Sequence, residues 1–165
     1  MAMHTWFECK IRYEKTMENG MNKKVTEPYL VDALSFTEAE ARIIEEMTPF
    51  ISGEFTVSDI KRANYSELFP SEEEAADRWF KCKLVFITLD EKSGAEKKTS
   101  TQVLVQAADL RDAVKKLDEG MKGTMADYQI ASVAETAIMD VYPYAADESI
   151  TDTISENANS PVVRN

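Results

Sequence analysis

Two small clusters of aromatic and basic side chains are the residues of this chain best suited to holding a ligand. Trp6 is followed by Lys10 and Arg12, and Trp79 by Lys81 and Lys83. In an extended segment, residues two apart share a face. Trp6, Lys10 and Arg12 therefore stand on one side of a strand, and so do Trp79, Lys81 and Lys83. An aromatic beside cations on an open sheet can stack a base and neutralise phosphates. The same residues have a plainer use, in which each tryptophan caps a core edge or packs against other structure and the cations solvate the surface. Val85, Ile87 and Leu89 share the face of Trp79 and favour a covered sheet there. A second basic pair, Lys23-Lys24 and Lys97-Lys98, comes after two turn signals. It would either grip an anionic partner or keep hairpin tips soluble.

Catalytic and metal chemistry finds little to stand on. The single histidine, His4, leaves serine and cysteine nucleophiles without their usual base and zinc without a common ligand set. Five scattered glycines make no phosphate loop. Glu38, Glu40, Glu45 and Glu46 read as a solvated helix face, and Glu72-Glu73-Glu74 as a charged linker, so a carboxylate-dependent hydrolase ranks last. No cofactor and no metal site are expected. Cys9 and Cys82 form no CxxC motif and alternate with large apolar residues, as small core side chains do.

The elements that carry these residues occur twice. Trp6-Phe7-Glu8-Cys9-Lys10-Ile11 aligns with Trp79-Phe80-Lys81-Cys82-Lys83-Leu84, Leu30-Val31-Asp32-Ala33 with Leu104-Val105-Gln106-Ala107, and Leu68-Phe69-Pro70 with Val141-Tyr142-Pro143. This register predicts an α+β fold, an internal tandem duplication of a β-β-α-β unit. The copies are expected to be related by a pseudo-two-fold, with helices packed on one face of antiparallel sheet. In each unit a strand alternates, Phe7, Cys9, Ile11 and Tyr13 facing one way in the first. Next come a turn at Asn19-Gly20 or Ser93-Gly94, a returning strand with Tyr29, Val31 and Ala33 inward, and a capped helix. Ser35 with Glu38, and Asp109 with Asp112, are the cap residues. The helix stripes are Phe36, Ala39, Ile43, Ile44, Met47 and Leu110, Ala113, Val114, Leu117, Met121. The alternation breaks within 55–69 and 128–142, which predicts one long bulged strand or two short ones in each unit.

The domain reading is 5–70 for the first repeat, 71–78 for an acidic linker, 79–143 for the second repeat and 144–165 for a disordered polar tail. Linker and tail each carry −3, over half of the net charge of −11, so the two repeats are only mildly acidic. No apolar run approaches the roughly 20 residues that span a bilayer, and the amino terminus has no secretory pattern. A cytoplasmic protein without a membrane role is the expectation.

At Trp-Phe-x-Cys-Lys, and along Tyr29-Leu30-Val31-Asp32-Ala33-Leu34-Ser35-Phe36-Thr37-Glu38-Ala39, the chain resembles a family of small uncharacterised proteins from Bacteroidetes and their phages. The resemblance covers most of residues 5–143 and brings no catalytic residues with it. It implies a bacterial or phage protein. The functional expectation is a non-catalytic binding or regulatory module with a protein partner. The alternative is a single-stranded nucleic-acid binder using the Trp/Lys/Arg faces. A homo-oligomer is left open.

Overall fold

The computed structural model describes residues 5–144. His4 and the tail from 145 onward, for which disorder is the expectation, lie outside the described residues. The chain forms two compact units, one from residues up to 63 together with 140–144, the other from 64–139.

The first unit begins with β1 (Trp6–Thr16) and β2 (Asn22–Asp32), an antiparallel hairpin paired from Trp6↔Asp32 to Thr16↔Asn22. Gly20 closes its turn at φ +84°, a left-handed conformation that glycine adopts without strain. Helix α1 (Phe36–Met47) comes next, its amino end capped by the Ser35 hydroxyl, which accepts from the Glu38 amide at 3.1 Å. Glu38 reaches back to accept from the Leu34 amide. β3 (Phe55–Ala63) then pairs antiparallel with β1 on its other side.

The second unit repeats this order. β5 (Arg78–Leu89) and β6 (Glu96–Ala107) form the hairpin, α2 (Leu110–Gly120) is capped by Asp109, and β7 (Asp127–Glu135) pairs with β5. Asp112 accepts from the Ala108 amide at 2.9 Å, so it completes the reciprocal half of the cap. Both outer strands carry a one-residue bulge, at Ser58 opposite Lys10/Ile11 and at Ala131 opposite Lys83/Leu84.

One face of each sheet is covered by its helix. In the first unit Phe7, Cys9, Ile11, Val31 and Ala33 pack with Ala39, Ile43 and Met47. In the second, Cys82, Leu84, Val103 and Val105 pack with Leu117 and Met121, and Phe80 and Ala107 with Ala113. The buried helix stripe is narrower than the sequence suggests. Phe36, Ile44 and Leu110 stay exposed at its margin, and Phe36 sets its edge on the Phe7 ring with centroids 4.9 Å apart.

The expectation of purely antiparallel sheet is corrected. β4 (Glu67–Phe69) leaves the line of β3 and adds in parallel to the outer side of β6, while β8 (Val141–Tyr142) adds in parallel to β2. The sheets are thus mixed, in the orders β3-β1-β2-β8 and β4-β6-β5-β7. The sequence segment 55–69 divides into two strands that lie in different sheets. Side chains in and just after each short strand hold it in place. Phe69 lies against the helix backbone at Gly120, where an added Cβ would stand 2.9 Å from its ring. Beyond it, Lys116 bonds Ser71 and Glu73, both at 3.0 Å, which ties down part of the expected linker. After β8, Arg42 donates to the carbonyls of Asp32 and Pro143 and lies 4.9 Å over the Tyr144 ring. The Tyr144 hydroxyl donates to Glu38 at 2.5 Å. Tyr144 therefore belongs to the folded body and not to the tail.

Candidate functional site

The sequence places its candidate side chains on the sheet faces opposite the helices, and strand register fixes which of them are neighbours. Trp6, Lys10 and Arg12 do share the face away from α1, as Trp79, Lys81 and Lys83 share the face away from α2. The tryptophans are buried, Trp6 at 2% exposure and Trp79 at 5%. A stacking platform needs an exposed ring, so the aromatic half of the expected ligand surface is corrected: both rings are packing residues. Farther along the Trp79 face Val85 and Ile87 are half-buried, whereas Leu89 at the strand end is exposed.

The cations divide differently in the two units. On the first, Lys10 sits directly opposite Asp59, the neighbouring pair is Glu8 opposite Lys61, and Lys24 is opposite Glu14. Arg12 and Lys24 line one depression of about 660 Å³ with Glu14 and Glu54 in its wall. Lys10, Lys24 and Lys61 thus each stand opposite a carboxylate, while Arg12 stands opposite Thr26 and Thr56.

On the second unit the same positions are neutral. Lys83 is opposite Gln102 on one side and Ser132 on the other; Lys81 is opposite Leu104 and Ala134; Lys98 is opposite Ile87. Among the described residues no ion pair forms at these three lysines, nor at Lys10, Arg12 or Lys24, so the units differ in what stands opposite the cations and not in ion pairs made. A depression of about 220 Å³ brings Lys83 together with Asn64, Ser100, Thr101 and Gln102. Beside it Ser66 donates its amide and hydroxyl to the Gln102 carbonyl and accepts from Thr101. The face is cationic and lined with hydroxyl and amide groups, a combination that suits carboxylate oxygens.

The paired lysines do not act as pairs. Successive strand residues point to opposite faces, so Lys24 and Lys98 join the open faces while Lys23 and Lys97 lie on the helix side of their strands. Lys23 stands opposite Lys15, which in turn pairs with Glu27 at 3.6 Å.

Burial pushes the Cys9 thiol up to about 12, with Glu8 and Asp59 adding to it, and the Cys82 thiol up to about 11. Both are fully buried on the helix-covered faces. A protonated, enclosed thiol is a poor nucleophile and metal ligand. Among the described residues, no three His, Cys, Asp or Glu side chains come together as a metal site, and no helix is long and apolar enough to cross a membrane. Sequence reasoning singled out Lys81, Lys83 and Lys98 but missed Ser132, Ala134 and Gln102. Their importance lies in what stands opposite the lysines, which only register reveals.

Two helix-backed mixed sheets, one with a cationic polar face, define an α+β protein. The chain belongs to the family described as domain of unknown function DUF4494, whose model matches residues 5–144. No curated protein matches the chain.

Proposed function

We propose that this protein is a non-catalytic binding module that takes an acidic segment of a protein partner on the open face of its second unit. The observation that carries this reading is that Lys81, Lys83 and Lys98 have no carboxylate opposite them, whereas Lys10 and Lys24, the counterparts of Lys83 and Lys98, stand opposite Asp59 and Glu14. Unneutralised lysines surrounded by Ser100, Gln102, Gln129 and Ser132 attract and hydrogen-bond an anion. Burial of Trp6 and Trp79 removes the stacking that a single-stranded nucleic-acid binder would use.

The equal strand orders, the paired caps and the matching bulges support an internal tandem duplication. The resemblance at Trp-Phe-x-Cys-Lys supports an origin in Bacteroidetes or their phages. Free, buried Cys9 and Cys82 suit a reducing cytoplasm.

The test is titration of a labelled glutamate-rich peptide, beside a labelled oligothymidine, at two salt concentrations. The expected result is salt-sensitive peptide binding that Lys81→Glu with Lys83→Glu weakens by at least about tenfold. Tighter binding of the oligonucleotide, or peptide binding indifferent to those substitutions, would overturn the proposal.

A further inference from the structure

The outer antiparallel strands of the two sheets are protected to different degrees. A sheet edge presents unpaired N–H and C=O groups that template another strand unless charges or proline intervene. β3 carries Asp59, Lys61 and Arg62 within its 9 residues. β7, also 9 residues, is Tyr-Gln-Ile-Ala-Ser-Val-Ala between Asp127 and Glu135, with neither charge nor proline inside. Gln129 to Ser132 are all exposed. The bulge at Ala131 does not account for the difference, because β3 has one too.

The two sides of this edge ask for different side chains. Tyr128, Ile130 and Val133 lie on the helix side, in line with Phe86, Leu84 and Cys82 of the core. On the open side, Lys83 and Lys81 of the adjacent strand look across only Ser132 and Ala134. Strands lie about 4.8 Å apart, so an added strand would stand about 10 Å from β5. A lysine stem lying over a serine or alanine spans much of that distance towards a glutamate reaching back. In the first unit Asp59 and Lys61 occupy the way.

A second copy of the chain fits poorly in the register that pairs two β7 strands over their full length. Antiparallel pairing of two β7 strands about Ala131 sets Asp127 against Glu135 at both ends, and like charges directly opposite are destabilising.

We propose that β7 is a strand-addition edge. An extended segment of the partner pairs with it, β-branched residues towards Ile130 and acidic residues towards Lys81 and Lys83. This rests on the proposed acidic-partner face and names how that partner binds. The probe is a labelled nine-residue peptide of alternating valine and glutamate, read by anisotropy on the full chain. Its controls are the same peptide N-methylated at alternate amides, and the Lys81→Glu, Lys83→Glu variant. Hydrogen exchange monitors β7 throughout. The expected result is binding that N-methylation weakens at least about tenfold, with slowed exchange across 128–134. If the N-methylated peptide binds equally while the lysine variant still loses it, strand addition is wrong and the lysine face stands. If the lysine variant binds normally, the face itself is wrong. Slowed exchange in β7 without peptide, together with a concentration-dependent dimer, would assign the edge to a second copy and overturn the proposal.

Discussion

The first and second units share strand order, cap geometry and bulge position, yet the face away from the helix is close to charge balance in one and cationic in the other. Lys10 and Lys83 occupy corresponding places in their strands; one faces Asp59 across the sheet and the other Ser132. Glu8 faces Lys61 where Lys81 faces Ala134. Backbone and core set the scaffold, and the cross-strand neighbour decides whether a surface cation stands opposite a carboxylate or a neutral side chain.

The buried face tests how deep the likeness of the units goes. Trp6→Ala and Trp79→Ala should each cost about 3–5 kcal/mol, as large-to-small core truncations do, and denaturant melts read the loss. A change under about 1 kcal/mol at either site would separate the two units at that position and return an exposed ring to consideration.

The grips beyond the short strands are expected to matter less. Arg42→Ala removes donors to the carbonyls of Asp32 and Pro143, at a cost of about 1–3 kcal/mol. Burial and the bond to Glu38 push the Tyr144 hydroxyl up to about 12, and the Arg42 charge opposes that rise. Ultraviolet titration of the tyrosines should therefore show no phenol moving down in Arg42→Ala, and one moving towards its ordinary range in Glu38→Gln, which removes the carboxylate that raises it.

A third expectation concerns alkaline pH. Both thiols are raised in the folded state, so the folded protein retains protons that the unfolded chain releases above the ordinary cysteine range. The stability held by the protonated thiols is whole below that range and falls as pH rises. The loss continues to about 11 for Cys82 and about 12 for Cys9. Cys82→Ala and Cys9→Ala should flatten the respective part of a stability–pH curve, and thiol labelling of the native protein should be slow at both sites.

The smallest effect on stability sharpens the comparison most. Ser132→Asp recreates on the second unit the carboxylate that Asp59 supplies on the first, and should stabilise by about 0.2–1 kcal/mol as a cross-strand pair. Acidic-peptide binding should fall with it. Asp59→Ser should do the converse on the first unit, baring Lys10. Unchanged peptide affinity in both variants would show that cross-strand neutralisation is not what distinguishes the faces.

Much of this was written locally in the chain. Period-two alternation put Cys9 and Cys82 on the covered faces, Ser35 with Glu38 and Asp109 with Asp112 marked the helix starts, and Asn19-Gly20 marked a turn. These signals depend on neighbours within a few residues, so sequence alone decides them. Residues 67–69 and 141–142 lie beyond that reach. A strand of two or three residues satisfies the same backbone groups at either sheet edge, and nothing within it names the edge it joins. Tertiary structure made that choice, through Phe69 against Gly120 and Arg42 on the carbonyl of Pro143. It also decided that the tryptophans are buried on the faces away from the helices, because alternation assigns a side chain to a face without saying whether that face is covered. Cross-strand register settled the rest: Lys83 reads the same as Lys10 along the chain, and only pairing with the outer strand sets a serine opposite one and an aspartate opposite the other.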